Sequence, residues 1–536
     1  MKPTLKSLLL LLASGTAFAQ FPPQLKNIVV IVQENRTPDN LFHFLTPACP
    51  IPTGASGLRA CTPTPVTNGC YEISPCGLSN QGGTVHAVPL TAVPLSGSYD
   101  PSHSHSAFEN MCDPNSNFLC RNDGAWKIVT SPANGSYGYV DNPAVVNYDG
   151  SNGHLLDPYL TFARQYGWAN FMFQTNQGPS YPAHQFLFSG TAALTNDDDL
   201  NSIFVSENFQ GTAGAGCLAT PSTPSNPVSN ALLQPNNGAV GCTLFDAKSV
   251  QECRLFNTAA VYPNQPVGTF CVSHKDMGTT VLDPNAISWK YYAPAAGSIW
   301  TAPNAIQQIC QPKFVNATTL ECSGAEWQAK VDIKNHGTDI LRDITNCTLP
   351  NVSWVIPNGA WSDHAGPNDQ YGPSWVTAII NAIGNNPTCA SGTPDAGQNF
   401  WHNTAIIVTW DDWGGWSDNQ PAKILSGLPC VITTPPTPCP GDDQYGFRVP
   451  LLVVSAYTPR GFIHNAPHDF GSILRMIEGI YGLQQGQLGY ADARATSNLH
   501  DFFTLTHPRR YQTVPAVKNA NFFLTYTGPL VPPDND

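Results

Sequence analysis

Residues 403–419 have the sequence NTAIIVTWDDWGGWSDN, and they indicate the class of fold that the rest of the chain must fit. The continuous apolar run at 405–408 is typical of a strand buried on both faces of a parallel sheet. Asp411 and Asp412 follow it, and ligands collect outside the carboxyl ends of such strands. Two adjacent carboxylates repel each other unless a cation or a shared proton compensates them. An ordinary turn, with an aspartate followed by glycines, explains the same residues equally well.

A second continuous apolar run, IVVIV at 28–32, lies near the start of the chain and also predicts a central parallel strand. Glu34 and Asn35 follow it, so a second strand end presents oxygen ligands, far in sequence from the aspartate pair. Thr37 and Pro38 have the residue types of a helix cap and a first helical position, which predicts a short helix there. A glutamate that simply ends its strand at the surface is the alternative explanation of Glu34.

Segments of strand and helix character alternate in the second half of the chain. They are apolar strand-like runs at 287–292, 352–357 and 449–454, and helical patterns at 375–383 and from Ser472. This alternation between 350 and 485 predicts a doubly wound α/β sheet.

The N-terminus has the composition of a secretory signal peptide. Lys2 and Lys6 precede an apolar run at 8–12, and Ala-Phe-Ala at 17–19 provides a cleavage site before Gln20. The apolar run is too short to span a bilayer, and no later run reaches the length of about 18 residues that a membrane helix needs. We therefore expect residues 1–19 to be removed, and a soluble protein that is secreted or periplasmic.

The composition indicates a loop-rich exported protein and argues against binding to nucleic acid. The 16 cysteines include no C-x-x-C pair, and an even number in an exported chain predicts several disulfides. The net charge is −13 with no cluster of Lys or Arg, which argues against a nucleic-acid or anionic-lipid surface. We expect one domain over 20–536, with irregular disulfide-held insertions at about 46–100 and 205–350.

Ser180 is the candidate nucleophile. It follows the Gly178-Pro179 turn, and Pro182 limits the start of the helix beyond it. A serine at a helix N-terminus lies where the backbone amides favour an anion, which suits attack on a phosphorus centre. A plain helix cap explains the same serine equally well. The segment has no G-x-S-x-G sequence, which disfavours an α/β-hydrolase.

His103 and Lys290 are candidates for contact with an anionic substrate. His103 alternates with His105, so the two imidazoles act together only if they point the same way. Lys290 is a rare cation in a sparsely charged chain and could reach a phosphate. A solvated side chain is the alternative in both cases.

Five segments together resemble the bacterial phosphoesterase family that includes secreted phosphatidylcholine-type phospholipases C and AcpA-like acid phosphatases. They occur in the family's order and span nearly the whole mature chain. They are KNIVVIVQENRTPDNLF (26–42), NQGPSYPAHQ (176–185), SDHAGPNDQYGPSWV (362–376), TAIIVTWDDWGGWSD (404–418) and YGFRVPLLVVSAYTPRG through HDFGSILRMIEGIYG (445–482).

The resemblance implies an alkaline-phosphatase-like α/β fold, a three-layer sandwich around a mostly parallel sheet. It implies one divalent metal ion, whose identity the sequence does not determine, and the ligands would be Glu34, Asn35, Ser180, Asp411 and Asp412. Ser180 takes the position of the family's nucleophile, and His103 and His364 lie near its phosphate-contacting histidines. Phe470 departs from the family, because many members carry a histidine there.

The predicted function is hydrolysis of a phosphoric ester through a phosphoserine intermediate, of the acid phosphatase or phospholipase C type. The substrate would be a phosphate ester or a phospholipid. The alternative is a secreted, non-catalytic binding protein that keeps the fold, although no predicted ligand or nucleophile position is lost. A sulfatase is disfavoured, because the Ser-x-Pro-x-Arg sequence would need an arginine where His184 stands.

Overall fold

The part of the chain that the computed structural model describes excludes the predicted signal peptide at 1–19. The described residues are 21–50, 61, 69–97, 100–114, 120–128, 130, 134–192, 203–204, 214–218, 228–229, 271–316, 319–423 and 444–531.

Eight strands form one large sheet. In chain order they are β1 (Asn27–Gln33), β2 (Gly167–Ala169), β3 (Trp289–Tyr292), β4 (Val331–Asp332), β5 (Val352–Val355), β6 (Thr404–Trp410), β7 (Leu451–Ser455) and β8 (Phe462–His464). Across the sheet the order is β4-β3-β5-β1-β6-β7-β2-β8. All neighbours pair in parallel except β7, which is antiparallel to both β6 and β2. The predicted mostly parallel sheet is confirmed.

Helices connect and cover these strands. The longer ones are α1 (His105–Cys112), α2 (Asp157–Gln165), α3 (Ser180–Ser189), α4 (Asp339–Thr345), α5 (Gly372–Asn385) and α6 (Phe470–Ile480). Shorter helices span Pro38–Leu41, Gln307–Cys310, Ala325–Lys330, Phe400–Asn403, Ala491–Arg494 and Ala520–Leu524. Two-stranded sheets pair Cys76–Ser79 with His86–Pro89, Thr91–Val93 with Gly138–Val140, Ala144–Val146 with Asn152–His154, Ile203–Phe204 with Val228–Ser229, and Pro312–Phe314 with Leu320–Cys322.

Two buried tryptophans show that helices cover both faces of the sheet. Trp354 lies in the same register row as Ile407, three residues before Trp410, so the two indoles point to opposite faces. Trp354 packs against Phe188 of α3, with ring centroids 4.9 Å apart. Trp410 packs against Tyr159 of α2, with centroids 5.3 Å apart. The domain therefore has three layers, helix, sheet and helix.

The two central strands explain the apolar runs in the sequence. Every residue of β1 and β6 is buried, because each strand is covered on both faces and paired on both edges. A strand in this position has no water-facing site, so the sequence shows no alternation of polar and apolar residues. The short helix predicted after β1 is also present, and the Thr37 side chain accepts a hydrogen bond from Asn40 N.

Six disulfides hold the loops among the described residues. They join Cys49 to Cys70, Cys61 to Cys76, Cys112 to Cys120, Cys217 to Cys271, Cys310 to Cys322 and Cys347 to Cys389. The predicted disulfide-held loops are therefore present. Residues 205–350 are not wholly an irregular insertion, however, since β3 and β4 lie within them and extend the sheet beyond β5. No helix in the described part of the chain has both the length and the apolarity that crossing a membrane requires.

Candidate active site

The site begins where β1 and β6 end side by side. Gln33 and Trp410 are register partners, so Glu34 and Asp411 leave the sheet next to each other. The backbone then locks the two strand ends together, because Asn35 N donates to Asp411 Oδ1 at 3.0 Å. The side chains of Glu34, Asn35 and Asp411 are all buried. Two segments that are distant in the sequence thus converge at the carboxyl edge of the sheet.

The glycine pair after Asp412 allows a close approach of this loop to Asn35. Gly414 has φ +63°, and a Cβ there would collide with the Asn35 carbonyl oxygen. Gly415 has φ +68°, and a Cβ there would collide with the backbone of Pro101 and Ser102. Glycine is the residue that meets both requirements, since it accepts positive φ and carries no Cβ. The two glycines therefore allow the loop that carries the acidic pair to pack directly against Asn35 and against Pro101 and Ser102.

Asn35 is the centre of a hydrogen-bond network with two histidines. Its Nδ2 lies 2.8 Å from Nε2 of His103 and 2.8 Å from Nε2 of His364. Each Nδ1 in turn faces a backbone carbonyl oxygen, at 2.9 Å for His103 and 2.6 Å for His364. Because a carbonyl can only accept, each neutral ring carries its hydrogen on Nδ1, and each Nε2 accepts one of the two amide hydrogens. This fixes the orientation of the Asn35 amide.

Ser180 lies against the other side of that amide. It is the first residue of α3, and Pro179 occupies the preceding cap position. Its Oγ lies 3.4 Å from Asn35 Oδ1 and 3.3 Å from Asp412 Oδ2, and the side chain is fully buried. The helix N-terminus carries a partial positive charge that favours an anion beside this hydroxyl.

His184 is one helical turn beyond Ser180 and faces the same cluster. Its Nε2 lies 3.2 Å from Glu34 Oε1 and 3.7 Å from Asp411 Oδ2. One ligating atom from each of these three residues lies within 4.8 Å of the others, and all three are buried. His184 was not among the predicted site residues. Its spacing of four residues from Ser180 on a helix was the available signal.

The charges of the cluster are costly without a counter-ion. Burial raises the pKa of Asp412 well above its ordinary value, and the neighbouring Asp411 carboxylate raises it further. Burial lowers the pKa of His184 to about 4, against the opposing effect of Asp411. Both shifts reflect the cost of ionisation in a dry site. Carboxylate oxygens with one imidazole are a donor set that fits a divalent cation.

A second group of side chains lies on the outer side of the network. Asp100 joins His103 and His364, with one ligating atom from each within 4.8 Å of the others. Asp100 Oδ2 is 4.0 Å from His364 Nε2, and the Asp100 side chain is 21% exposed whereas that of His364 is 7% exposed. The site therefore approaches solvent on the side of Asp100.

The structure does not bring Lys290 to this site. Its Nζ lies 2.7 Å from Asp343 Oδ2 on α4, so its charge is already compensated. It pairs in register with Ser353, which pairs with Val29, five residues before Glu34. Five residues of strand correspond to about 16 Å. The predicted substrate contact is therefore corrected to a structural ion pair near the opposite end of the sheet.

The Phe470 position is part of the helix start and the core. Asp469 caps α6, since its side chain accepts from Ser472 N while the Ser472 hydroxyl interacts with the Asp469 backbone. Phe470 is fully buried in the main core. Phe470 therefore contributes to the packing of the core.

Parts of the chain are similar to known phospholipases C. A non-hemolytic phospholipase C of Burkholderia pseudomallei is 32% identical over an alignment of 224 residues, and the match covers 37% of this chain and 30% of that protein. A hemolytic phospholipase C of Pseudomonas aeruginosa is 26% identical over 193 residues, 34% of this chain and 25% of that protein. The aligned regions thus span less than a third of either phospholipase.

Among solved structures, the fold is similar to that of a protein in the alkaline phosphatase superfamily from Vibrio parahaemolyticus. The TM-score is 0.29, the sequences are 8% identical, and the match covers 62% of both chains. The model of the phosphoesterase family matches residues 25–484, which include every residue of the cluster described above. The chain therefore belongs to the phosphoesterase family.

Proposed function

We propose that the protein is a metal-dependent phosphoric ester hydrolase that transfers the phosphoryl group first to Ser180 and then to water. The observation that carries this proposal is the contact of the buried Ser180 hydroxyl with Asp412 and Asn35, directly beside Glu34 and Asp411. Membership of the phosphoesterase family and the names of the aligned phospholipases support the same chemistry.

Buried oxygens at the two strand ends would hold the metal. The ligands would come from Glu34, Asn35, Ser180, Asp411 and Asp412. Asp411 Oδ2 is a buried oxygen that no hydrogen bond satisfies among the described residues, which fits a ligand role. When bound, a divalent cation there lowers the pKa of the serine hydroxyl and neutralises charge on the phosphoryl oxygens.

In the first half-reaction the Ser180 proton passes to Asp412 Oδ2 while Oγ forms a bond to phosphorus. The bond between phosphorus and the leaving oxygen breaks in the same step. The leaving oxygen takes a proton from Nε2 of His364 or His103 in its charged form, in which Nε2 donates instead of accepting from Asn35. His364 lies on the side of the site that approaches solvent, where a leaving alcohol can depart.

In the second half-reaction water attacks the phosphoserine. The attacking water gives a proton to the imidazole that protonated the leaving oxygen, the bond between Oγ and phosphorus breaks, and Oγ regains its proton from Asp412. Phosphate or a phosphomonoester is then released. The amides at the start of α3 stabilise charge on the phosphoryl oxygens in both halves, and the Asn35 amide hydrogen that is freed when one imidazole is charged does so in the first. The same groups thus serve attack and release.

We also propose that the protein acts outside the cytosol. The six disulfides among the described residues support this, since such bonds persist in oxidising compartments. The signal-peptide pattern at 1–19 supports the same placement.

Assays with two chromogenic esters test the proposed function and distinguish a phosphatase from a phospholipase C. The metal-loaded protein is assayed with para-nitrophenyl phosphate, a monoester, and with para-nitrophenylphosphorylcholine, a diester. Hydrolysis of either one that is lost on chelation and restored by metal supports the proposal, and the preferred ester identifies the phosphatase or phospholipase C type. If the metal-loaded protein hydrolyses neither ester, the non-catalytic alternative is favoured.

A further inference from the structure

We propose that His184 is a direct ligand of the metal through Nε2. The proposed site would then prefer ions that bind imidazole, such as Zn²⁺ or Fe²⁺, to Ca²⁺ or Mg²⁺. This inference rests on the proposed function, because it adds a nitrogen donor to the same metal site and thereby names the class of ion.

The spacing around Nε2 fits ligands of one cation. Protein oxygens and nitrogens bind zinc at about 2.0–2.2 Å, so neighbouring ligand atoms are separated by about 3.0–3.5 Å. His184 Nε2 lies 3.2 Å from Glu34 Oε1 and 3.7 Å from Asp411 Oδ2. A charge-assisted hydrogen bond would be shorter, at about 2.7–2.9 Å. Nε2 thus lies between two carboxylates, within this range of Glu34 Oε1 and slightly beyond it for Asp411 Oδ2.

The charge of the cluster requires such an ion. Glu34, Asp411 and Asp412 are fully buried, and together they carry up to three negative charges. Buried carboxylates persist in proteins when they are paired or coordinate a metal. The imidazole of His184 can provide a lone pair to a cation that neutralises them.

The helix that carries His184 is held firmly on the sheet. The indole Nε1 of Trp354 on β5 donates to Leu187 O at 3.1 Å, and Gln185 Nε2 donates to Ala302 O at 3.0 Å. Ser180 and His184 therefore lie one turn apart on a fixed element. A rigid element of this kind places a nucleophile and a ligand with constant geometry.

The preference of the site for nitrogen-binding ions follows from ligand type. Imidazole suits Zn²⁺ and Fe²⁺, whereas Ca²⁺ and Mg²⁺ take oxygen ligands. A site made of oxygens alone would suit Mg²⁺, Ca²⁺ or Mn²⁺. The identity of residue 184 therefore decides which class of ion the protein retains.

The test compares His184→Gln with His274→Gln in the full-length protein. His274 is also buried but belongs to a different part of the core, so its substitution controls for the loss of a packed imidazole. Metal content is measured by mass spectrometry after dialysis, and the Zn²⁺ and Ca²⁺ dissociation constants by competition with a chelator. We expect His184→Gln to weaken Zn²⁺ binding at least about 100-fold and Ca²⁺ binding less than about threefold. His274→Gln should leave both constants unchanged.

A measurement on the wild type keeps the inference testable if His184→Gln does not fold. Zinc-edge X-ray absorption of the loaded protein should show the outer-shell scattering of one coordinated imidazole. A spectrum without imidazole scattering, or wild-type Zn²⁺ affinity in a folded His184→Gln, would overturn the ligand role while leaving the proposed function intact. An active wild-type protein that contains no metal would instead overturn the proposed function itself.

Discussion

Ser180 Oγ lies 3.3 Å from Asp412 Oδ2, although 232 positions separate the two residues in the chain. Ser180 begins α3, and Asp412 follows β6 at the centre of the sheet. The contact therefore depends on the order of the strands and on the packing of α3 against the sheet. It is the geometric basis for proposing Ser180 as the nucleophile.

Replacing Ser180 by Ala should lower turnover at least about 10³-fold, because the attacking oxygen is lost. Metal content should remain near that of the wild type, since the carboxylates stay in place. Ser189→Ala is the control, because Ser189 is buried at the other end of the same helix. Turnover of Ser180→Ala above a tenth of the wild-type value would show that another group attacks phosphorus.

Gly414→Ala should destabilise the protein more than Gly366→Ala does. Both glycines have positive φ, so both substitutions carry the conformational penalty of about 1 kcal/mol. A Cβ at Gly414 also collides with Asn35, whereas a Cβ at Gly366 meets no atom within 4 Å. The extra loss at Gly414 should be about 1–3 kcal/mol in urea unfolding, with lower activity. Equal losses for the two variants would mean that the Asn35 contact has no energetic importance.

Arg448→Met should reduce the free energy of unfolding by about 3–5 kcal/mol, because it leaves buried carboxylates without their counter-charge. The fully buried guanidinium donates to Asp418 at 2.7 and 2.9 Å, and lies 3.4 Å from Asp39. It thereby joins the loop after β6 to the short helix after β1.

Arg121→Met is the matched control for that variant. Arg121 pairs with Asp113 at the surface, with its side chain 42% exposed, so its loss should cost at most about 1 kcal/mol. Denaturant unfolding measures both. Similar effects of the two substitutions would contradict the importance of the buried network.

The buried His468 should make the protein less stable in acid. Burial, together with the smaller effect of the neighbouring His464, lowers its pKa to about 3. An unfolded histidine has a pKa of about 6.5, so between these values protons bind the unfolded state preferentially. The contribution of the neutral His468 to the free energy of unfolding is therefore fully present above about pH 6.5. It decreases as the pH falls towards 3, by up to about 1.4 kcal/mol per pH unit.

Unfolding of the wild type and of His468→Gln between pH 7 and 4 checks that dependence. The variant lacks the titrating group, so the difference in stability between the two proteins should change with pH in the stated direction. A constant difference across this range would show that His468 is not a buried neutral imidazole.

The central strands could be predicted because burial on both faces leaves a distinctive apolar run. The direction of β7 could not, since the run at 451–455 has the same composition whichever way the strand is oriented. Direction depends on the connections and on the neighbours β6 and β2. The start of α6 was predicted within two residues, at Ser472 instead of Phe470, because the capping role of Asp469 was not used.

The strand-end carboxylates were predictable from their positions, but side chains that depend on tertiary packing were not. His184 enters the site only because α3 crosses the ends of β1 and β6. Lys290 lies outside the site, and its Nζ pairs with Asp343 of α4 at 2.7 Å. Neither partner is a neighbour in the sequence, and the spacing of His184 from Ser180 was the local signal that the chain offered.

The stereochemistry at phosphorus tests the phosphoserine pathway most directly. A phosphomonoester made chiral with oxygen isotopes is incubated with the metal-loaded protein and an alcohol acceptor, and the configuration of the transferred phosphoryl group is determined. Two successive in-line displacements, first by Ser180 and then by the acceptor, predict overall retention. Overall inversion would show a single displacement directly from the substrate, and would contradict the assignment of Ser180 as the nucleophile.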